Sequence, residues 1–179
     1  MKYCLALLML LISPVSAAAD IDEAEQIVSF VKKLDKHVTW PKDRSAEGNG
    51  KLFVIAAVGK SPATDKLKKL NGEKTPGGKQ FKVRVVTPDL LPSNGHVLIV
   101  TTPDEKTLKT IVKKLHGSGT LTIGPGDSTG QAGTMITYFN ETVENKSRLR
   151  FQINIAAIKA EGIEIDSRLL EDESIIVGK

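Results

Sequence analysis

Residues 52–58, Leu-Phe-Val-Ile-Ala-Ala-Val, form an uninterrupted apolar run that is bounded by Gly50 and Gly59. A second run of the same kind spans residues 96–100, His-Val-Leu-Ile-Val. Short continuous apolar runs between turn residues are typical of strands buried on both faces, as in parallel sheets. The sequence therefore predicts a mostly parallel sheet at the centre of the fold.

Amphipathic helices alternate with these strands. Between Asp22 and Lys36 the apolar residues fall at the spacing of one helix face. Ser61-Pro62 predicts the start of a second helix, and Thr102-Pro103-Asp104-Glu105 predicts that of a third. The later strands Thr134–Phe139 and Arg148–Ile155 flank a polar turn and indicate a hairpin. The predicted fold class is α/β: a three-layer α/β/α sandwich with a mostly parallel, mixed sheet and a C-terminal antiparallel hairpin.

Residues 1–19 have the layout of a secretory signal peptide. Lys2 precedes the apolar run Leu5–Ile12, and Ser16-Ala17-Ala18-Ala19 supplies the small residues that the peptidase requires. A membrane anchor would need an apolar run of ~20 residues, and this one is far shorter. We therefore expect export to the periplasm, removal of residues 1–19, and one domain over residues 20–179 that does not span the membrane. Removal also takes away Cys4, the only cysteine.

The composition argues against several classes of function. A formal net charge of +4 and an aromatic content of 4% are not typical of a protein that binds nucleic acid. The three histidines stand far apart in the sequence, so we expect no metal site. No cysteine remains after export and no serine sits in a nucleophile-elbow pattern, so we expect no catalytic residues and no enzyme.

Two glycine-containing segments look like cofactor motifs but lack an essential part. Gly59-Lys60-Ser61 matches the end of a phosphate-binding P-loop, but Val54 stands where the motif requires its first glycine. The loop Gly124–Gly133 is followed by a predicted strand, whereas a dinucleotide fingerprint must open a helix. We expect no cofactor, and we leave open that this loop helps to bind a small ligand.

Two features are candidates for recognition. Trp40 is the only tryptophan, and at a helix exit it either fills a gap in the core or presents an aromatic binding edge. On the strand 148–155, Arg150, Gln152 and Asn154 face away from the apolar side chains. Such a row is either solvated or a polar patch that binds a partner or a ligand.

Several segments together resemble the YfiR-like family of exported bacterial proteins. The similarity runs in the same order over nearly the whole exported chain, and its first segment is a helix that ends in a Trp-Pro pair. The similar segments are Phe30–Pro41, Leu52–Gly59, Gly95–Val100, Leu121–Ile123 with Ala132–Ile136, Arg150–Asn154 with Ala156-Ala157, and Gly162 with Ser167–Leu170. Family members often carry disulfide cysteines, and Gly95 stands at one such place.

The resemblance implies a periplasmic α/β regulatory domain that catalyses nothing. It implies that the protein binds the periplasmic part of an inner-membrane diguanylate cyclase or sensor kinase, and so modulates cyclic-di-GMP output and biofilm behaviour. It also implies a second partner, an outer-membrane OmpA-like lipoprotein that can sequester this regulatory protein and so release its partner in the inner membrane. Whether the protein forms a homodimer stays open.

The predicted contact surface includes Trp40, Met135 and the row Arg150, Gln152 and Asn154. The alternative hypothesis is a periplasmic small-molecule-binding sensor. Its pocket would lie at the carboxyl ends of the parallel strands, where open α/β sheets bind their ligands.

Overall fold

The computed structural model describes residues 22–41, 50–92, 94–101, 104–127, 133–144 and 146–178, and the predicted signal peptide lies outside them. The helices in these ranges are α1 (Glu23–His37), α2 (Pro62–Lys69), α3 (Glu105–Leu115), α4 (Ile155–Ala160) and α5 (Ser167–Leu170). The strands are β1 (Val38–Thr39), β2 (Leu52–Val58), β3 (Gln80–Val86), β4 (Val97–Val100), β5 (Leu121–Pro125), β6 (Ile136–Val143), β7 (Lys146–Asn154), β8 (Glu164–Ile165) and β9 (Ile175–Gly178).

Seven strands form one sheet in the order β3-β2-β4-β5-β6-β7-β9. The strands from β3 to β6 all run parallel. β6 and β7 form an antiparallel hairpin in which Ile136 lies opposite Ile153, and β9 runs parallel to β7. β1 and β8 make a separate two-stranded antiparallel sheet. The predicted mixed sheet and C-terminal hairpin are therefore confirmed.

Helices cover both faces of the large sheet. α1 and α2 share the main core with Phe53, Ile55 and Ala57 of β2. α3 packs on the opposite face, against the alternate residues Ala56 and Val58 of the same strand. Because β2 has a helix on each face, Phe53 to Val58 are all buried. This arrangement confirms the predicted three-layer sandwich and explains the uninterrupted apolar run.

Helix α1 ends close to the main core, and the residues that follow it lie at the edge of that core. Its N-cap is Asp22, whose side chain accepts a hydrogen bond of 3.0 Å from the Ala24 N–H. Its last turn holds Lys36 and His37, where the helix dipole favours positive charge. β1 follows directly and pairs Val38 with Ile165 of β8, so the chain reaches Trp40 in a fixed position.

The sequence does not predict three of the strands. β1 and β8 contain two residues each, which is too short for a detectable pattern. β9 contains four residues, Ile-Ile-Val-Gly, and only Ser174 separates it from the acidic segment Glu171–Glu173. Its addition beside β7 makes β9, rather than the hairpin, the end of the sheet.

Candidate functional site

The end of the sheet formed by β6, β7 and β9 is covered on one face. Leu149, Phe151 and Ile153 point into the main core. The second core, beneath α3, contains residues of β2 and β4 but none of β6, β7 or β9. In the described part of the chain, neither hydrophobic core covers the other face of these three strands, and most of the side chains on it are exposed or partly buried. We call this surface the open face. It consists of Phe139 and Glu141 of β6, Arg148, Arg150 and Gln152 of β7, and Ile176 of β9.

Arg150 is held across the open face by two contacts. Its Nε atom lies 2.9 Å from Oε2 of Glu141 on the neighbouring strand. Its Nη1 atom donates a hydrogen bond to the backbone carbonyl of Glu173, just before β9. Arg148 is exposed on the same face and adds a second positive charge. The open face thus presents one guanidinium group held by neighbouring residues and one that is exposed.

Gln152 carries an unsatisfied acceptor on the same face. Its Oε1 atom is buried and accepts no hydrogen bond from the described residues. The side chain lies close to β9, since a Cβ atom at Gly178 would be 3.3 Å from its Nε2. A buried acceptor without a donor costs about 1–3 kcal/mol.

Met135 and Asn154 are brought together at the other end of the hairpin. The Asn154 N–H donates to the Met135 carbonyl at 2.9 Å, and Met135 is buried. The side-chain Oδ1 of Asn154 accepts from the Ala157 N–H at 2.9 Å and caps α4. These contacts are structural, and the part of both residues in binding stays a prediction.

Trp40 lies apart from these residues, at the amino ends of β2 and β4. Its indole Nε1 donates to the His96 carbonyl at 2.9 Å. Its ring meets those of Phe53 and His96 edge-on, with centroids 5.3 and 5.2 Å apart. Trp40 is partly buried against the main core. This geometry favours core packing, and a role of Trp40 in binding stays a prediction.

A buried ion pair beside Trp40 is the main feature that the sequence did not reveal. The Asp35 side chain has no solvent exposure, and Lys79 Nζ lies 2.9 Å from its Oδ1. The Thr75 hydroxyl donates to Oδ2 of the same carboxylate. The ammonium group of Lys79 also lies 6.0 Å from the Trp40 ring centroid. The sequence did contain an indication of a buried charge, because Asp35 falls one turn after Val31 on the buried face of α1.

Burial and hydrogen bonding shift the pKa values of Asp172 and Tyr138. Partial burial raises the pKa of Asp172, but hydrogen bonds from Lys33 and Ser174 outweigh it and hold the pKa at about 2. Burial raises the pKa of Tyr138 above its usual range, and its hydroxyl donates to the Val100 carbonyl at 3.2 Å. At neutral pH the Asp172 carboxyl is therefore ionised and the Tyr138 hydroxyl is protonated, as is usual for these side chains.

Three cavities lie away from the carboxyl ends of the parallel strands. The first, of about 490 Å³, is bounded by α4, β8 and α5. The second, of about 260 Å³, lies between α1 and the start of β9, with Phe30, Phe151 and Ser174 in its wall. The third, of about 120 Å³, includes Met135 and Glu161. The pocket that the sequence predicts at the carboxyl ends stays a prediction.

Neither a metal-binding group of side chains nor a membrane-spanning helix occurs in the described ranges. No three side chains of His, Cys, Asp or Glu in those ranges are grouped so as to hold a metal ion. No helix there is long and apolar enough to cross a membrane.

The order of these elements can be compared with known families. A profile described as YfiR/HmsC-like matches residues 25–171, from the first turn of α1 to the end of α5. The chain belongs to the YfiR/HmsC-like family. The resemblance noted in the sequence is thereby confirmed. A comparison with curated proteins gives no significant match.

Membership of the YfiR/HmsC-like family gives the function in outline. The family supports a periplasmic regulator of signalling, and its members are regulators rather than enzymes. A regulator of this kind acts by contact with another molecule. The surfaces that matter for function are therefore those that the fold leaves available for binding.

Proposed function

We propose that this YfiR/HmsC-like protein is a non-enzymatic regulator that binds the periplasmic part of an inner-membrane diguanylate cyclase. By this contact it would lower cyclic-di-GMP output and biofilm formation. A sensor kinase is the second class of membrane partner that fits, and an OmpA-like lipoprotein of the outer membrane would compete for the regulator. The observation that carries the proposal is the open face within a domain of this family.

The open face has the features of a protein-binding surface. Arginine is enriched in the energetically important parts of protein interfaces. Arg150 is already fixed by Glu141 and by the Glu173 carbonyl, so little side-chain entropy is lost when a partner binds it. Arg148 favours a carboxylate nearby.

The test uses the exported chain with a purification tag in its own cells. Wild-type protein is expected to retain a membrane protein with a cyclase domain. Arg148→Glu is expected to retain at least tenfold less, because a loss of about 1.4 kcal/mol corresponds to that factor, and to raise cellular cyclic-di-GMP. The matched control is Lys113→Glu, which reverses an exposed charge on the outer side of α3 and should behave as wild type.

Two results would contradict this proposal. The first is a wild-type protein that retains neither a cyclase nor a sensor kinase under conditions in which it is stably expressed. The second is an Arg148→Glu variant that binds and represses as well as Lys113→Glu, which would remove the open face from the contact.

We also propose a second candidate function, a small-molecule sensor, on the basis of the largest of the three cavities. Its volume of about 490 Å³ is in the range of small-molecule sites. Most of its wall is apolar, and one lysine and one glutamate are present: the lining residues are Ile155, Ile158, Lys159, Gly162, Ile163, Glu164, Ile165 and Leu170. The apolar wall fits an aromatic or aliphatic ligand, and a carboxylate on that ligand would have to lie at Lys159, away from Glu164.

Thermal unfolding in the presence of indole-3-acetate and decanoate tests the second candidate. A ligand that binds only the native state raises the melting temperature, so an upward shift of at least about 3 °C at millimolar ligand is expected. Ile155→Trp should fill the cavity and abolish the shift, whereas Val85→Trp, at an exposed position, should preserve it. The absence of a shift with both compounds, or an equal shift in both variants, would contradict the proposal.

A further inference from the structure

Basic and acidic side chains are segregated between the two ends of the parallel strands. α2 and α3 each connect two parallel strands, so both helices begin at the carboxyl ends of the strands and finish at the amino ends. α1 finishes there as well, because Trp40 donates to the carbonyl of His96, directly before β4. The first turns of the three helices contain acidic residues and the last turns contain basic residues. The positive charge of these helices therefore lies at the amino ends of the strands.

Four exposed lysines lie around the segment 70–79, which joins α2 to β3. We call this group the basic end, and it consists of Lys36, Lys51, Lys69 and Lys74. Lys69 is the last residue of α2. Lys74 forms an isolated bridge with Gln80 at the start of β3. The Lys51 carbonyl accepts from the Gln80 N–H at 2.9 Å, so Lys51 and Lys74 lie on either side of β3.

The position of Lys36 on α1 places it beside the same segment. It falls one turn after Lys32, whose Nζ atom lies 3.9 Å from Oε2 of Glu73. Residues four apart are neighbours on the surface of a helix. The adjacent Asp35 also contacts the segment, because it accepts a hydrogen bond from Thr75. The basic end is therefore one surface that is built from α1, α2 and the residues around the start of β3.

Nearby acidic groups do not neutralise the basic end. Asp35 is buried and paired with Lys79, and Glu73 lies near Lys32. Within the described ranges, none of the four lysines of the basic end forms an ion pair. The helix dipole accounts for lysines at the ends of helices, but two of the four lie in no helix. Capping of helices is therefore not a sufficient reason for this group.

The composition of the basic end fits a lipid surface better than a protein. Protein interfaces are depleted in lysine and have an apolar centre. The large apolar side chains that are exposed in the described residues lie outside this group: Val85, Leu90, Val143 and Val177. An anionic bilayer attracts clustered lysines through their charge alone and requires no fitted surface.

We propose that the basic end binds the anionic phospholipid surface of the inner membrane. The exported chain would be held there reversibly, with the acidic first turns of its helices directed away from the lipid. The open face would stay free, since β3 and β7 lie towards opposite ends of the large sheet. Binding at the surface would raise the concentration of the regulator near a membrane partner. The inference does not depend on which partner that is.

Co-sedimentation with phospholipid vesicles tests this inference. The exported chain is expected to bind vesicles that contain phosphatidylglycerol about tenfold or more tightly than vesicles of pure phosphatidylcholine. The binding should be lost at about 1 M salt, where the Debye length is only about 3 Å. Lys36→Gln/Lys69→Gln/Lys74→Gln is expected to bind about 100-fold more weakly than wild type, which corresponds to about 1 kcal/mol for each lysine.

The matched control is Lys60→Gln/Lys106→Gln/Lys146→Gln. It removes the same number of positive charges from exposed positions outside the basic end, so it should bind within about twofold of wild type at 0.1 M salt, where the Debye length is about 10 Å. Equal melting temperatures of the two triple variants would establish that both fold. Glycerol 3-phosphate, a soluble anion related to the lipid headgroup, should not displace the protein from the vesicles at millimolar concentration.

Three outcomes would overturn the inference. Wild-type protein that does not prefer vesicles with phosphatidylglycerol would show that anionic lipid is not the ligand. Equal binding of the two triple variants would show that net charge or another surface governs the contact. Displacement by glycerol 3-phosphate would assign the basic end to a free phosphate compound. Because the vesicles contain no protein, these results are independent of the test of the membrane partner.

Discussion

Lys79→Met is expected to lower the free energy of unfolding by about 3–5 kcal/mol. The Asp35 carboxylate has no solvent exposure and lies 2.9 Å from Lys79 Nζ. Removal of the ammonium group would leave a buried charge whose remaining side-chain partner is the hydroxyl of Thr75. A neutral hydrogen bond does not compensate for the lost hydration of a carboxylate. Urea unfolding followed by circular dichroism measures the difference.

Two further variants separate the effect of charge from that of side-chain loss. Lys82→Met removes a lysine from an exposed position on β3 and should change stability by less than about 0.5 kcal/mol. The double variant Asp35→Leu/Lys79→Met removes both charges and should recover part of the loss, as replacement of a whole buried pair often does. A Lys79→Met variant within 1 kcal/mol of Lys82→Met would refute the importance of the pair.

The centre of the sheet could be predicted because burial on both faces leaves a direct mark on the sequence. Residues 53–58 and 97–100 are apolar throughout since neither face of these strands meets water. Helix α1 was equally predictable from its apolar stripe and its Asp22 cap. Strand β9 could not be predicted. Its four residues, next to an acidic segment, are too few to show a periodicity, and their strand conformation depends on pairing with β7.

The candidate site was predictable only in part. The alternation of β7 correctly places Arg150 and Gln152 on the face opposite Phe151, because side chains alternate along any strand. The contacts of Arg150 with Glu141 and with the Glu173 carbonyl could not be predicted. They depend on which strands become neighbours. Asp35 shows the same limit, since Thr75 lies 40 residues further along the chain.

Gly77→Ala is expected to destabilise the fold by about 2–3 kcal/mol, the usual cost of forcing an extra group into a packed site. A Cβ atom at Gly77 would collide with Oδ2 of Asp35 and would lie 2.9 Å from its Cγ. It would also lie 3.1 Å from the Asp35 backbone carbonyl oxygen. The turn that carries Thr75 and Lys79 would therefore have to move away from α1, which would weaken both contacts of the carboxylate. The measurement is again urea unfolding.

Gly95→Ala is the matched control for this substitution. Its Cβ atom would meet Pro92 and the Val97 carbonyl at 3.7 and 3.9 Å, which are ordinary contact distances, so the change should be below about 1 kcal/mol. In an Asp35→Ala background, Gly77→Ala should lose at least half of its effect, because the colliding carboxylate is gone and only the backbone carbonyl remains. Neighbouring residues show such non-additivity when they act through one contact. Strict additivity of the two substitutions would contradict this prediction, because it would mean that the turn does not rest on the Asp35 side chain.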